Sequence, residues 1–345
     1  MIIEASAPTR VDLAGGTLDI HPLYLMEEDV WTVNAAVEIP VRVRLAPARR
    51  GFVVVSADLR ERVEAADLDG LPLGGPLDLA CRALRLAAPR LASRRLAAPR
   101  PGLTVTLRSA APPGSGLGAS SALLLALLAA LDRWTRRARS RDDLVTTAWR
   151  LEAQSLRTLT GRQDYLAALH GGVNAIRFGA EGDRVEPLLR SAAARRVLAD
   201  RLVIAYTGLP HRSGLTNWGV VRAYLDGTPD TVRHLRAIAR VARAMRDALR
   251  AQDIDAAGSL IAQEWAHRRE MAPGVSTPGI EEALAVARRA GAIAGKACGA
   301  GGGGSVLILT REGAGPACRR ALRAAGFAVL PVRIAAKGLQ VRTVL

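Results

Sequence analysis

Lysine is almost missing from this chain. Of its 48 basic residues only Lys296 and Lys337 are lysines, and arginine carries the formal charge of +16. Aromatic residues make up 3% of the sequence, and few lie among arginine clusters such as Arg136 to Arg141. Nucleic-acid binders gather cations on one face and set rings beside them. Arginine spread through an Ala/Leu-rich chain fits a GC-rich genome instead, so no nucleic-acid partner is expected. The positive field alone attracts anionic nucleotides and phosphosugars. Cysteine is scarce too. Cys81, Cys298 and Cys318 are an odd set without metal-ligand spacing, which excludes a disulfide framework and fits a reducing cytosol. No uncharged apolar run is long enough to span a bilayer, since Ala119 to Leu131 is too short. The start, M-I-I-E-A-S-A-P, has no basic region ahead of an apolar one, so no secretory signal is read there. A cytoplasmic protein without a membrane partner is expected, with 345 residues for one large or two ordinary domains.

What is present is a loop. From Pro112 the chain reads P-P-G-S-G-L-G-A-S-S-A and runs on into an Ala/Leu-rich helix. Glycine lets backbone approach a bulky anion because no Cβ intervenes. The free N–H groups of the following helix then face that anion with their positive dipole end. The loop is not a Walker A sequence, because no lysine follows Gly118, and its G-x-G-x-G spacing is not the dinucleotide fingerprint. A capped core helix behind a glycine turn is the plainer alternative.

Other stretches line up around the loop. Residues 2–5 read as a strand, and the following P-T-R-V-D-L-A-G-G-T-L-D breaks at Gly15 and Gly16. Asp19 is either a turn former or a substrate contact. Residues 30–45, 52–56 and 103–109 alternate as strands. Residues 78–87 read as a helix that Pro89 should stop or kink, with a basic piece at 90–96 and a loop at 99–101. A helix over 141–159 carries Glu152, either a solvated acid or a partner of Arg150. G-R-Q-D-Y-L-A-A-L-H-G-G-V-N from Gly161 gives a turn, a short helix and a strand, with Asp164 at the helix start. A strand at 202–206 leads to His211, Arg212 and Ser213, which form either a turn with an N-cap or an anion contact. Two long amphipathic helices at 232–250 and 254–269 and a third at 278–290 follow, with Glu264, Trp265 and His267 assigned to packing. A second glycine-rich stretch runs from Lys296 to Ser305, ahead of a strand at 306–309. A helix at 316–325 and strands at 327–334 and 339–344 complete a small α+β sandwich.

Together these stretches resemble the GHMP kinases (galactokinase, homoserine kinase, mevalonate kinase and phosphomevalonate kinase). The loop resembles their ATP-binding motif, Pro8 to Asp19 their first motif, and K-A-C-G-A-G-G-G-G their third. Gly16 and Thr17 stand where galactokinases have Glu and His. The A-G-G-T-L-D form and the Q-D segment are closer to the D-glycero-D-manno-heptose 7-phosphate kinases, although Arg162 replaces their lysine and Leu166 their tyrosine.

The resemblance implies an α+β fold of two domains, placed here at 1–180 and 181–345. The first is ribosomal-protein-S5-domain-2-like with a left-handed β-α-β crossover, the second ferredoxin-like. It implies ATP held by Pro113, Gly114, Ser115, Gly116, Leu117, Gly118, Ala119, Ser120 and Ser121, and Mg²⁺ held by Ser120 and Glu152. Asp164 becomes the catalytic base, with Arg10 beside it. Arg10, Gly16, Thr17, Asp19, Gly171, Gly172, Arg212, Lys296, Gly301 and Gly302 become substrate contacts. The expected reaction is phosphorylation of a sugar or sugar phosphate at its anomeric hydroxyl by a monomer or homodimer. A free-sugar kinase and a non-catalytic sugar- and ATP-sensing regulator are the alternatives.

Overall fold

The computed structural model describes residues 1–93, 102–210 and 213–344. Its first half runs β1 (Ile2–Ala14), α1 (Leu23–Met26), β2 (Val30–Ala48), β3 (Phe52–Ser56), β4 (Glu61–Ala65), α2 (Asp78–Ser93), β5 (Gly102–Ser109), α3 (Ala119–Thr135), α4 (Arg141–Leu156), α5 (Gln163–His170), β6 (Val173–Phe178) and β7 (Arg184–Leu188). Its second half runs α6 (Ala192–Arg201), β8 (Leu202–Tyr206), α7 (Ser213–Leu225), α8 (Pro229–Arg250), α9 (Ile254–Arg268), α10 (Pro278–Arg289), β9 (Ala292–Ala297), β10 (Ser305–Thr310), α11 (Gly315–Ala324), β11 (Ala328–Leu330) and β12 (Gln340–Val344).

The first sheet has the order β12-β1-β2-β5-β3-β4, with β6 on β2 and β7 on β6. Its long strand β2 explains the layering. From Val37 to Leu45 inward Val, Ile and Leu alternate with outward Glu38, Arg42 and Arg44, as a sheet with one wet face requires. From Val30 to Val37 every residue is buried, because α5 packs on this part of the sheet and α8 also covers it. The strand expected over residues 2–5 continues to Ala14. Pro8 has no N–H for the ladder, and the register with β2 shifts between Ala7 and Thr9 to pass it. Among the described residues the one parallel pair, β3 with β5, is connected through β4 and α2. Helix α3 is buried nearly all round and forms the spine of this half.

The second sheet is antiparallel in the order β11-β8-β10-β9. Numbered within the domain this is 4-1-3-2, the ferredoxin-like arrangement, with α7, α8, α9 and α10 all between its first two strands. The fold is therefore the α+β arrangement that the resemblance implies.

Two local expectations change. Pro89 does not end its helix. Helix α2 continues to Ser93 because Ala87, Ala88 and Leu91 pack against the core, and this packing outweighs the proline cost. Residues 94–101, with the expected loop at 99–101, lie outside the described residues. The last strand, β12, leaves the second half and pairs with β1, Ile2 opposite Val344. The division at 180 falls between β6 and β7, which are adjacent antiparallel strands of the first sheet.

Candidate active site

A cavity of about 440 Å³ opens above β1, between the glycine loop and the N-termini of α3 and α5. All nine residues from Pro113 to Ser121 line it. Gly114, Gly116 and Gly118 take φ of 65°, 73° and 69°, the left-handed region that L side chains avoid. A Cβ on Gly116 would lie 2.6 Å from Cys298 O, and one on Gly118 2.9 Å from Asp164 Oδ2. Glycine is needed at both places on two counts.

The loop is tied down from below. Arg10 donates from Nη1 to Gly116 O at 2.7 Å, and its backbone N–H donates to Leu117 O at 2.9 Å. Ser305 N donates to Ser115 O at 2.9 Å. The same Arg10 meets Asp164 Oδ1 at 2.7 Å from both Nε and Nη2. Burial alone would depress the arginine pKa, but the charges of Asp164 and Asp12 outweigh it and the net direction is up. Arg10 is thus fixed as a cation, and it holds Asp164 against the glycine loop. The structure brings together the two residues expected to be catalytic.

Glu152 reaches the cavity from α4 and is buried. Its carboxylate accepts from Ser121 Oγ at 2.9 Å and from the Tyr165 hydroxyl. Burial raises its pKa; the hydrogen bonds from Tyr165 and Ser121 oppose this, and the charge of Asp164 adds to it. The Ser120 side chain also interacts with Glu152, and Ser120 is exposed at the cavity wall. Among the described residues no cation lies against this buried carboxylate, and with the exposed Ser120 hydroxyl beside it the pair is a hard oxygen donor set that fits Mg²⁺.

The substrate residues divide. Gly16, Thr17 and Asp19 line the cavity. Asp19 accepts from Gln163 N at 2.9 Å, and a Cβ on Gly161 would come within 1.9 Å of its Oδ2. Burial is the main cause that pushes Asp19 up to about 6; like charges on Asp164 and Asp12 add to it. Lys296, Gly171, Gly172, Gly301 and Gly302 do not line the cavity, and each has a physical reason. Lys296 is wholly buried. Its Nζ bonds Asp12 Oδ2 at 2.8 Å and pairs with Glu264 Oε2. Gly171 and Gly172 seat the segment after β11: Gly172 N donates to Ala335 O at 2.6 Å, and a Cβ on Gly171 would meet the backbone of Lys337. Gly301 and Gly302 pack on Val275, whose carbonyl accepts from Gly302 N at 2.9 Å. Of the second glycine stretch, Gly299 and Ala300 reach the cavity. Arg212 and its neighbour His211 lie outside the described residues.

Two site residues escape a reading by motif. Asp12 lines the cavity, and its pKa is held down because Lys296 and Arg268 outweigh the effect of burial. It stands two residues after Arg10 on one strand, hence on the same face, and that spacing is the signal which identifies it. Arg268 lies behind the turn after β1. It donates to Gly16 O at 2.7 Å and to Thr17 Oγ1 at 3.1 Å, and it pairs with Glu264 at 2.6 Å. Thr17, with φ of 78°, is held in a strained conformation by these bonds. Glu264 packs as expected, but as the centre of a buried ion network.

Comparison with known proteins agrees with this geometry. The profile of the GHMP kinases N terminal domain matches residues 78–172, and that of the GHMP kinases C terminal region matches residues 245–328. The chain is 25% identical over 317 residues to a D-glycero-alpha-D-manno-heptose 7-phosphate kinase of Campylobacter jejuni, covering 89% of each. It is 26% identical over 337 residues to an L-fucokinase/L-fucose-1-P guanylyltransferase of Bacteroides fragilis, where the match spans 90% of this chain and 35% of that longer protein. Among solved structures, a D-glycero-D-manno-heptose 1-phosphate kinase of Bacteroides thetaiotaomicron superposes over 99% of both chains with a TM-score of 0.79 at 22% identity. With both domain profiles in order, the shared two-sheet fold and the glycine loop over an Arg–Asp pair, this chain belongs to the GHMP kinases and is a phosphotransferase of that family.

Proposed function

We propose that the protein transfers the γ-phosphate of ATP to a hydroxyl of a sugar or sugar phosphate, the anomeric hydroxyl of a heptose 7-phosphate-like substrate. The observation that carries this is Asp164, held by Arg10 at 2.7 Å under the phosphate loop. A sugar hydroxyl is a poor nucleophile at neutral pH, and a positioned carboxylate can accept its proton during transfer. Arg10 orients that carboxylate and offers charge to the phosphate. The loop N–H groups and the α3 N-terminus take the ATP phosphates. The apolar end of the cavity, with Leu59, Pro76 and Leu77, is assigned to adenine. Gly16, Thr17 and Asp19 take the sugar. Ser120 and Glu152 would hold Mg²⁺, which would neutralise charge on the phosphate oxygens. Three buried free cysteines fit a cytoplasmic protein, and among the described residues no helix is long and apolar enough to cross a membrane. Monomer or homodimer is the proposed state.

One observation favours a second substrate class. Among the described residues lining the cavity, Arg10 is the one cation, and Asp164 engages it. Binding of a substrate phosphate therefore falls to Arg212, and without it a free sugar fits better. The deciding experiment is ADP release with MgATP across heptose 7-phosphates, mannose 6-phosphate, galactose and fucose. Turnover confined to phosphorylated sugars, lost in Arg212→Ala, supports the first class. Turnover on a free sugar supports the second, and no turnover on any sugar contradicts both.

A further inference from the structure

Tyr165 is fully buried, and its hydroxyl donates to Glu152 Oε2. Ser121 Oγ donates to the same oxygen at 2.9 Å and lies 3.2 Å from Oε1. A buried phenol needs a partner for its O–H, whereas phenylalanine would fill nearly the same space without that demand. Tyr165 directly follows Asp164 on α5, Glu152 stands on α4, and Ser121 stands on α3. One carboxylate oxygen therefore receives hydroxyls from two other helices. A carboxylate offers about four acceptor positions. Tyr165 and Ser121 take both positions at Oε2, so the position left for a cation is at Oε1, beside Ser120, whose hydroxyl also interacts with this carboxylate.

We propose that Tyr165 is a positioning residue. It fixes Glu152 as a one-oxygen magnesium ligand and couples that ligand to the helix that carries Asp164. This rests on the reading of Glu152 as a metal ligand. Without the phenol the carboxylate can turn, and part of its ordering is deferred to the moment of metal binding. Partners of this kind change metal affinity by about 10- to 100-fold.

The test uses the full-length protein and Tyr165→Phe. Calorimetric titrations compare ATP with magnesium present and ATP in EDTA, and activity is measured against magnesium concentration. The expected result is magnesium half-saturation raised about tenfold, a matching loss of MgATP affinity, and unchanged affinity for ATP in EDTA. Equal losses for both forms of ATP would show a merely structural tyrosine, and an unchanged magnesium dependence would remove the role outright. Glu152→Gln separates the two readings. If it leaves magnesium dependence unchanged, the metal-ligand assignment fails. If it weakens magnesium and Tyr165→Phe does not, only the positioning role fails. Should Tyr165→Phe not fold by circular dichroism, Ser121→Ala removes the other hydroxyl from the same oxygen; because Ser121 also lines the ATP cavity, only its magnesium half-saturation is read, and an unchanged value removes the role.

Discussion

Asp19 is a buried carboxylate whose proton sits near working pH. With its pKa pushed up to about 6, it is ionised at pH 7.5 and largely protonated at pH 5. In the proposed sugar site an ionised Asp19 would accept sugar hydroxyls, and a protonated one would accept fewer. The sugar kcat/KM is therefore expected to fall below about pH 6, and Asp19→Asn should flatten that limb. For stability the sign is opposite. A carboxyl whose folded pKa is raised favours folding most in acid, and this contribution is lost as pH climbs from the ordinary value of 3.8 through about 6. Asp19→Asn should accordingly raise the melting temperature more at pH 8 than at pH 5. Lys296 gives a second prediction. Lys296→Met strands Asp12 without the cation that contacts it and leaves Glu264 to Arg268 alone, and a loss of about 3–5 kcal/mol is expected in urea unfolding. Lys296 also marks where sequence reading failed. The resemblance made it a substrate contact, but the partner that claims its ammonium, Asp12, is 284 positions away. The residue type was readable, and its direction was not.

The glycine loop and α3 were legible because their signals are local. Two prolines, three alternate glycines and an apolar helix lie within twenty residues, and each acts on its neighbours. Strand lengths and partners were less so. Nothing local in the sequence of β12 distinguishes β1 from β11 as its neighbour, and of the stop or kink expected at Pro89 the stop does not occur, because Leu91 packs on the core. The loop carries its own prediction. Gly118→Ala adds a Cβ at a φ of 69° and 2.9 Å from Asp164 Oδ2. Either the loop or the carboxylate must move, and a displacement of this size at reacting groups costs about 100-fold in kcat. Turnover within a few-fold of wild type would show that the loop and Asp164 do not need this close approach.

The two halves are joined by more than the cavity. β12 returns to the first sheet and covers β1, whose other edge already carries β2. Truncation after Leu339 removes five ladder pairs from β1 and exposes the edge of the strand that carries Arg10. A lower melting temperature and aggregation on heating are expected from scanning calorimetry with light scattering. An unchanged melting temperature would make β12 dispensable. The family and the order of motifs were readable along the whole chain. The return of β12 to the first sheet and the buried network from Asp12 to Arg268 were not, because both join residues far apart in sequence. The reading of this molecule stands most directly on Asp164 as the proton acceptor beneath the phosphate loop. The measurement is single-turnover phosphoryl transfer by Asp164→Asn on the best sugar of the panel, with ATP affinity measured in parallel. The account requires a fall of about 10²- to 10⁴-fold in the transfer rate with ATP affinity retained. Transfer at the wild-type rate would contradict it.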